Sequence, residues 1–119
     1  MGLKDDLVSE VATIFRAVWE ERDGERVPEA EDLRLGNDAV KLKGTVLYAD
    51  LADSTALVDG YKKPFVAEIY KTFLHCAAKI IRSEDGVITA YDGDRIMAVY
   101  IGNNKNTSAV RSAMNAEHF

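Results

Sequence analysis

Cysteine is almost missing from this 119-residue chain. Cys76 stands alone inside a helical pattern, so no intrachain disulfide and no cysteine metal cluster can form, and it reads as a small core residue. Positive charge is also short: the formal net charge is −5, without a basic stripe, which argues against broad contact with a nucleic-acid backbone. No apolar run approaches the ~20 residues of a membrane span. The start of the chain lacks the charged, apolar and small-residue pattern of a secretory signal, so a cytoplasmic protein is expected. Histidine is equally scarce. His75 reads as a partly exposed helix residue, and His118 has no partner that would make it a ligand.

What is present is ordinary for a folded protein. Hydrophobic residues make up 47% of the chain and charged residues 29%, enough to bury a core and far from the composition of a disordered chain. The size is that of one small domain or part of a larger one. Apolar residues at Leu7, Val11, Ile14, Phe15, Val18 and Trp19 predict an amphipathic helix from about Asp6 to Glu21, with Asp5 and Asp6 suited to its N-terminus. Its stripe serves either its own domain or a second copy of the chain. Residues 23–38, acidic and containing Gly24, Pro28 and Gly36, read as a linker with one helical turn. The expected division is therefore an N-terminal helix and linker over 1–38 and a main domain over 39–119.

Residues 39–51 read as extended, bent at Gly44, with Thr45-Val46-Leu47-Tyr48 as a buried strand. Ser54 or Thr55 is suited to cap the helix that follows, and Pro64 fits the first turn of another. Val66, Ile69, Phe73, Ala77 and Ile80, flanked by Phe65, Tyr70, Leu74 and Ile81, give that helix a wide apolar face that ends at Gly86. Val87–Tyr91 and Arg95–Ile101 read as two strands of a hairpin around Asp92-Gly93. Thr107 or Ser108 is expected to cap a last helix. Strand, helices, hairpin and helix in this order predict an α+β fold, a ferredoxin-like antiparallel sheet with helices on one face.

The residues that carry chemistry are Asp50 and Asp94, each where a strand meets a turn. Two carboxylates at strand ends suit a hard cation such as Mg²⁺, which takes one or two carboxylates together with phosphate oxygens. A single Asp in such a place is more often turn chemistry, and for Asp92 that reading stands. The pair changes the balance. Tyr48-Ala49-Asp50-Leu51-Ala52-Asp53-Ser54-Thr55 and Gly93-Asp94-Arg95-Ile96-Met97-Ala98, in this order with a long amphipathic helix between them, resemble the two metal motifs of the class III nucleotidyl cyclases, the adenylate and guanylate cyclases. The likeness runs from Thr45 to about Met114.

The resemblance implies a class III cyclase domain, incomplete at its C-terminus, that converts a nucleoside triphosphate to a 3′,5′-cyclic monophosphate and pyrophosphate. Two divalent metal ions, Mg²⁺ or Mn²⁺, are implied at Asp50, Asp94 and the Leu51 backbone carbonyl, in the arrangement that stabilises attacking and leaving oxygens together. Backbone amides from Leu51 through Ala52, Asp53, Ser54 and Thr55, with Gly93 beside Asp94, would hold phosphates. Asp53 departs from the family pattern by adding a negative charge there, or it caps the helix. Ala90 stands where purine-specific relatives carry Lys or Glu. The absence of either favours UTP or CTP, with Tyr48 and Tyr91 as aromatic walls or as core residues. In this respect the chain is similar to bacterial cyclases that make cyclic UMP or cyclic CMP in anti-phage signalling.

Charge and hydropathy predict no nucleic-acid or membrane partner, and the resemblance further implies a homodimer with active sites at its interface and no turnover from the isolated chain, because the family's later Asn and Arg do not appear before Phe119. The alternatives are an adenylate or guanylate cyclase, a cyclase-like module that binds nucleotide without converting it, and a structural domain that pairs through its N-terminal helix.

Overall fold

A computed structural model describes residues 2–34 and 36–118, with side chains as far as Glu117; the His118 side chain lies outside the described residues. The chain divides into two compact units, Met1–Leu42 and Lys43–Phe119.

The first unit begins with helix α1, Leu3–Arg16, whose acidic Asp5 and Asp6 and basic Arg16 complement the helix dipole at its two ends. The helix stops earlier than its apolar spacing predicts. Ala17 turns extended, at φ −68° and ψ 139°, and Glu20–Asp23 becomes strand β1. That strand pairs in parallel with β2, Asp38–Lys41, from Glu20 opposite Asp38 to Asp23 opposite Lys41. Tertiary pairing overrides helical periodicity here, and much of the expected linker becomes the crossover between two strands. It carries one 3₁₀ turn at Ala30–Asp32. α1 buries none of its own side chains, and Phe15 is 85% exposed.

Asp38 fastens the crossover. Its carboxylate accepts from Arg22 Nη1 at 2.6 Å and from the Arg34 backbone N–H at 2.7 Å, while Arg22 Nη2 donates to the Asp32 carbonyl at 2.6 Å. The Arg34 amide first, and Arg22 second, hold the Asp38 carboxyl below the usual carboxylate range. These bonds favour the ionised form, so their contribution is full above the unfolded pKa and is lost as pH falls through the lower folded value.

In the second unit β3, Gly44–Asp50, and β4, Val87–Asp92, flank β5, Arg95–Ile101, in an antiparallel sheet ordered β3-β5-β4. The extended stretch expected over 39–51 is therefore two strands in two different sheets. β3 alternates between half-buried and exposed positions rather than being buried on both faces. Helices α2, Ser54–Gly60, and α3, Lys63–Ser83, connect β3 to β4, and α4, Lys105–His118, follows β5. The α4 start precedes Thr107 and Ser108, so neither residue is its cap. α3 and α4 cover one face of the sheet, as the α+β expectation requires. Ile96, Ala98 and Tyr100 of β5 meet Ala77 and Ile81 of α3 and Ala109 of α4, with Leu47, Ala49, Phe73 and Ile88 packed around them. Burying Ile81 or Ile96 stabilises the fold by about 1.5–3 kcal/mol each.

Two local devices fix this packing. The Tyr100 hydroxyl, fully inside, donates to Ser112 Oγ at 2.7 Å, and the Ser112 hydroxyl in turn donates to the Ser108 carbonyl at 2.9 Å. At the end of α3 the left-handed residue is Asp85, φ 62°, while the Gly86 N–H closes back to the Ile81 carbonyl at 2.9 Å. Gly86 is required for clearance: a Cβ there would lie 2.6 Å from Ile81 Cγ2 and 2.7 Å from Tyr100 Cε1.

Gly86→Ala is expected to destabilise the protein by about 1–3 kcal/mol through overpacking, whereas Gly60→Ala, which meets open space, leaves stability near wild type. Urea unfolding of both variants checks this. For the first unit, Asp38→Asn should remove a loss of stability seen in the wild type below the ordinary carboxylate pKa. Unfolding measured across pH 2–6 reads that difference.

Candidate active site

The sheet register builds the candidate site. β3 and β5 pair from Gly44 opposite Ile101 to Asp50 opposite Arg95, so Asp50 ends its strand where β5 begins. The ladder extends one step further, with the Leu51 N–H donating to the Asp94 carbonyl at 2.7 Å. Asp94 belongs to the two-residue loop, Gly93-Asp94, between β4 and β5. Neither residue has a positive φ, so the hairpin is not the primed turn that Asp-Gly favours. Gly93 serves a steric purpose, since a Cβ on it would lie 3.0 Å from Tyr70 Cδ2 on α3. The close approach of that ring holds the turn, and with it Asp94, against the helix layer.

Asp50 and Asp94 converge on one guanidinium. Arg95 Nε lies 3.8 Å from Asp50 Oδ1 and 3.6 Å from Asp94 Oδ1. Arg95 Nη1 also donates to the Tyr48 hydroxyl at 3.2 Å. The Tyr48 hydroxyl first, and the two carboxylates with it, push the Arg95 pKa up from its usual value. Asp94 is the more sheltered carboxylate, 31% exposed against 62% for Asp50. Its Oδ2 accepts from Ser54 Oγ at 2.9 Å, which leaves Oδ1 facing Arg95. Sequence reasoning did not single out Arg95, because its significance depends on cross-strand pairing with Asp50 and Asp92. The only signal in the sequence is a cation immediately after Gly-Asp.

The loop from Leu51 to Thr55 carries the other expected residues. Asp53 occupies the N-cap position of α2 in the left-handed region, φ 57°, and its side chain makes no cap hydrogen bond. Ser54 and Thr55 lie inside the helix, so neither is the cap. Among the described residues the backbone N–H groups of Ala52, Asp53, Ser54 and Thr55 have no intramolecular acceptor. Four free donors beside two carboxylates suit a ligand that is both anionic and metal-bound. No group of three or more His, Cys, Asp or Glu able to hold a metal occurs among the described residues. Two carboxylates and a carbonyl fit a cation that arrives with phosphate oxygens better than one held by protein alone.

On the open face of the sheet Tyr48, Met97 and Ala90 form one row and Asp50, Arg95 and Asp92 the next. Ala90 reaches that row through a bulge at Thr89, between the Ile88–Ala98 and Ala90–Met97 pairs. The bulge reverses the alternation of β4, so Ala90 shares a face with Tyr48 while Tyr91, opposite Ile96, takes the other pleat. Both tyrosines are exposed, Tyr48 at 51% and Tyr91 at 69%, so neither is a core aromatic. A depression of about 80 Å³ lies among Tyr48, Ala90, Tyr91, Asp92, Arg95 and Met97. A larger pocket of about 470 Å³ borders Asp50 and Leu51 on the α3 side and is lined mainly by apolar residues such as Ile69, Phe73 and Ile80. Its mainly apolar lining does not match a triphosphate. His75 is exposed on α3, away from these groups.

The same arrangement of strands and helices occurs in solved cyclases. The chain superposes on the guanylyl cyclase Cya2 with a TM-score of 0.59 at 20% identity, over 63% of this chain and 40% of that one. The adenylyl cyclase CyaB from P. aeruginosa gives 0.57 at 18% identity, over 65% and 45%. The fold is therefore that of the class III nucleotidyl cyclases. No protein-family model matches the sequence. Curated relatives do: the chain is 56% identical over 115 residues to a uridylate cyclase of Xanthomonas perforans, covering 96% of this chain and 50% of that protein. A uridylate cyclase of Burkholderia cepacia is 57% identical over 116 residues, with 96% and 51% covered. The chain is a homologue of the uridylate cyclases and spans about half the length of the curated relatives it matches.

Ser54→Ala removes the hydroxyl that orients Asp94. It is expected to weaken Mn²⁺ binding to the full-length protein about tenfold, with Ser54→Thr restoring it, as measured by isothermal titration.

Proposed function

We propose that this chain supplies the metal-binding part of a uridylate cyclase site, in which UTP becomes 3′,5′-cyclic UMP and pyrophosphate. The observation that carries the reading is the convergence of Asp50 and Asp94, brought to one corner by the β3–β5 register, beside a loop of free backbone donors. The homology to uridylate cyclases supports it. Asp50, Asp94 and the Leu51 carbonyl would hold divalent cations, Mg²⁺ or Mn²⁺, whose charge would neutralise the triphosphate and favour loss of the ribose 3′-hydroxyl proton to solvent. The 3′-oxygen forms a bond to the α-phosphorus, the bond to the bridging oxygen breaks, and pyrophosphate leaves with that oxygen. The N–H groups of Ala52, Asp53, Ser54 and Thr55 orient the departing phosphates, and Ser54 holds Asp94. Positioning and charge stabilisation supply the rate.

Base choice follows from the open face. Ala90 offers no polar side chain, and among the described residues the charged donor beside it on that face is Arg95, tethered to Tyr48. A donor that cannot accept suits a carbonyl oxygen, such as O4 of uracil, over the amino group that cytosine carries at that position. Tyr48 adds a flat apolar surface against which a ring can lie, and Tyr91 flanks the depression from the other pleat. Val46, Tyr48 and Val87 leave this face apolar and exposed, which supports assembly as a homodimer with the site at the interface. A cytoplasmic enzyme whose product is a second messenger in bacterial anti-phage signalling accords with this reading. No helix is long and apolar enough to cross a membrane among the described residues.

Incubating the full-length protein with UTP, CTP, ATP or GTP and Mn²⁺, with products read by mass spectrometry, is expected to give cyclic UMP. Asp50→Ala and Asp94→Ala should each lower it by at least ~100-fold. A purine product would keep the chemistry and overturn the base assignment. Nucleotide binding without any product would support a binding module instead.

A further inference from the structure

Arg95 holds a position unlike that of any other cation in the second unit. Its Nε stands within 3.8 Å of one carboxylate of the site and 3.6 Å of the other, and its Nη1 reaches the Tyr48 hydroxyl on the exposed sheet face. Asp92, its partner across the β4–β5 pair, lies on the same face. One guanidinium thus touches both the corner where a cation would bind and the face where a base would lie. It is about half exposed, and no hydrogen bond ties it to either carboxylate. Its hold on the carboxylates is ion pairing alone, whereas its hydrogen bond goes to Tyr48.

We propose that Arg95 competes with divalent cations for Asp50 and Asp94, and that its link to Tyr48 ties metal loading to occupancy of the Tyr48 side of the face. This rests on the cyclase reading above and deepens it. A fixed positive charge some 4 Å from two metal-binding carboxylates opposes a second cation there. A pyrimidine carbonyl that draws the guanidinium toward Tyr48 relieves that opposition, and by linkage a bound cation releases Arg95 to meet the base. Metal and base then favour each other through a single side chain. Arg95 thereby sets the cation concentration at which the site loads as well as contributing to base choice.

The test is Mn²⁺ titration of the nucleotide-free, full-length protein, followed by electron paramagnetic resonance of the free ion. Arg95→Met is expected to tighten Mn²⁺ binding about three- to tenfold, the scale of removing one solvent-screened charge. Arg95→Lys, which keeps the charge, should stay within about twofold of wild type. Tyr48→Phe, which removes the tether, should loosen Mn²⁺ binding by about twofold. Unchanged or weaker Mn²⁺ binding in Arg95→Met, with Asp50→Asn still abolishing it, overturns the competition and leaves the metal site standing. Equal tightening in Arg95→Lys and Arg95→Met would assign the effect to shape rather than charge and also overturn it. Mn²⁺ binding that neither Asp50→Asn nor Asp94→Asn diminishes would remove the metal reading and this proposal together.

Discussion

The second unit depends on the antiparallel register between β3 and β5. Seven consecutive pairs, from Gly44–Ile101 to Asp50–Arg95, set which side chains meet the helices and which end of the sheet receives the carboxylates. A shift of one residue would turn Ile96, Ala98 and Tyr100 out of the core and move Asp50 away from Asp94. The register is pinned at both ends. The Leu51–Asp94 hydrogen bond closes it at the site, and the hydrogen bond between the Thr45 hydroxyl and Asn106 of α4 secures the other end. Core and site are thus specified by one pairing, so the hydrophobic effect that stabilises the sheet also sets the spacing of the charged groups.

That arrangement creates an electrostatic problem. Asp50, Asp92 and Asp94 gather within a few residues of the same turn, with Asp53 nearby, in a chain that is already acidic. Arg95 and the Ser54 hydroxyl are the neighbouring donors that moderate this concentration. Much of the site stays accessible to solvent, which keeps the cost of assembling like charges small. Ser54 constrains one oxygen of Asp94, so the other keeps a defined direction, which a ligand requires and a simple turn does not.

The residues differ in how legible they were. The meeting of Asp50 and Asp94 at one corner could be read from sequence because each follows or precedes a strand in a compact motif, and the α3 stripe could be read because four turns of regular spacing leave little choice. The α1 boundary could not: Val18 and Trp19 continue a helical period, but the pairing of Glu20–Asp23 with a strand fifteen residues further on decides their conformation. Asp53 and Asp85 take up left-handed backbone that local sequence would assign more readily to glycine, and Asp94 sits in the turn where Asp92-Gly93 looked like the dipeptide of interest. The convergence of Arg95 on Asp50, Asp94 and Tyr48 was invisible for the same reason, since its partners come from three segments joined only by the fold. The division of labour between Ala90 and Tyr91 was hidden by a single unpaired residue.

That residue, Thr89, has a consequence for how such a surface can diversify. Because the bulge takes one residue out of the alternation, the same sequence paired without it would exchange the whole outward set after Ile88 for the inward one. Regular pairing would bring Thr89 opposite Met97, where Ala90 now stands, and Tyr91 opposite Arg95, and would turn Ala90 and Asp92 to the other face. Substitution alters an exposed face one side chain at a time, whereas loss of the bulge with its residue retained rewrites the end of this strand in one event while the central strand keeps its own pairing with β3. The sheet edge is therefore a point of high evolutionary leverage, where the set of exposed side chains can change abruptly while β5 and the pairing that carries the core stay in place.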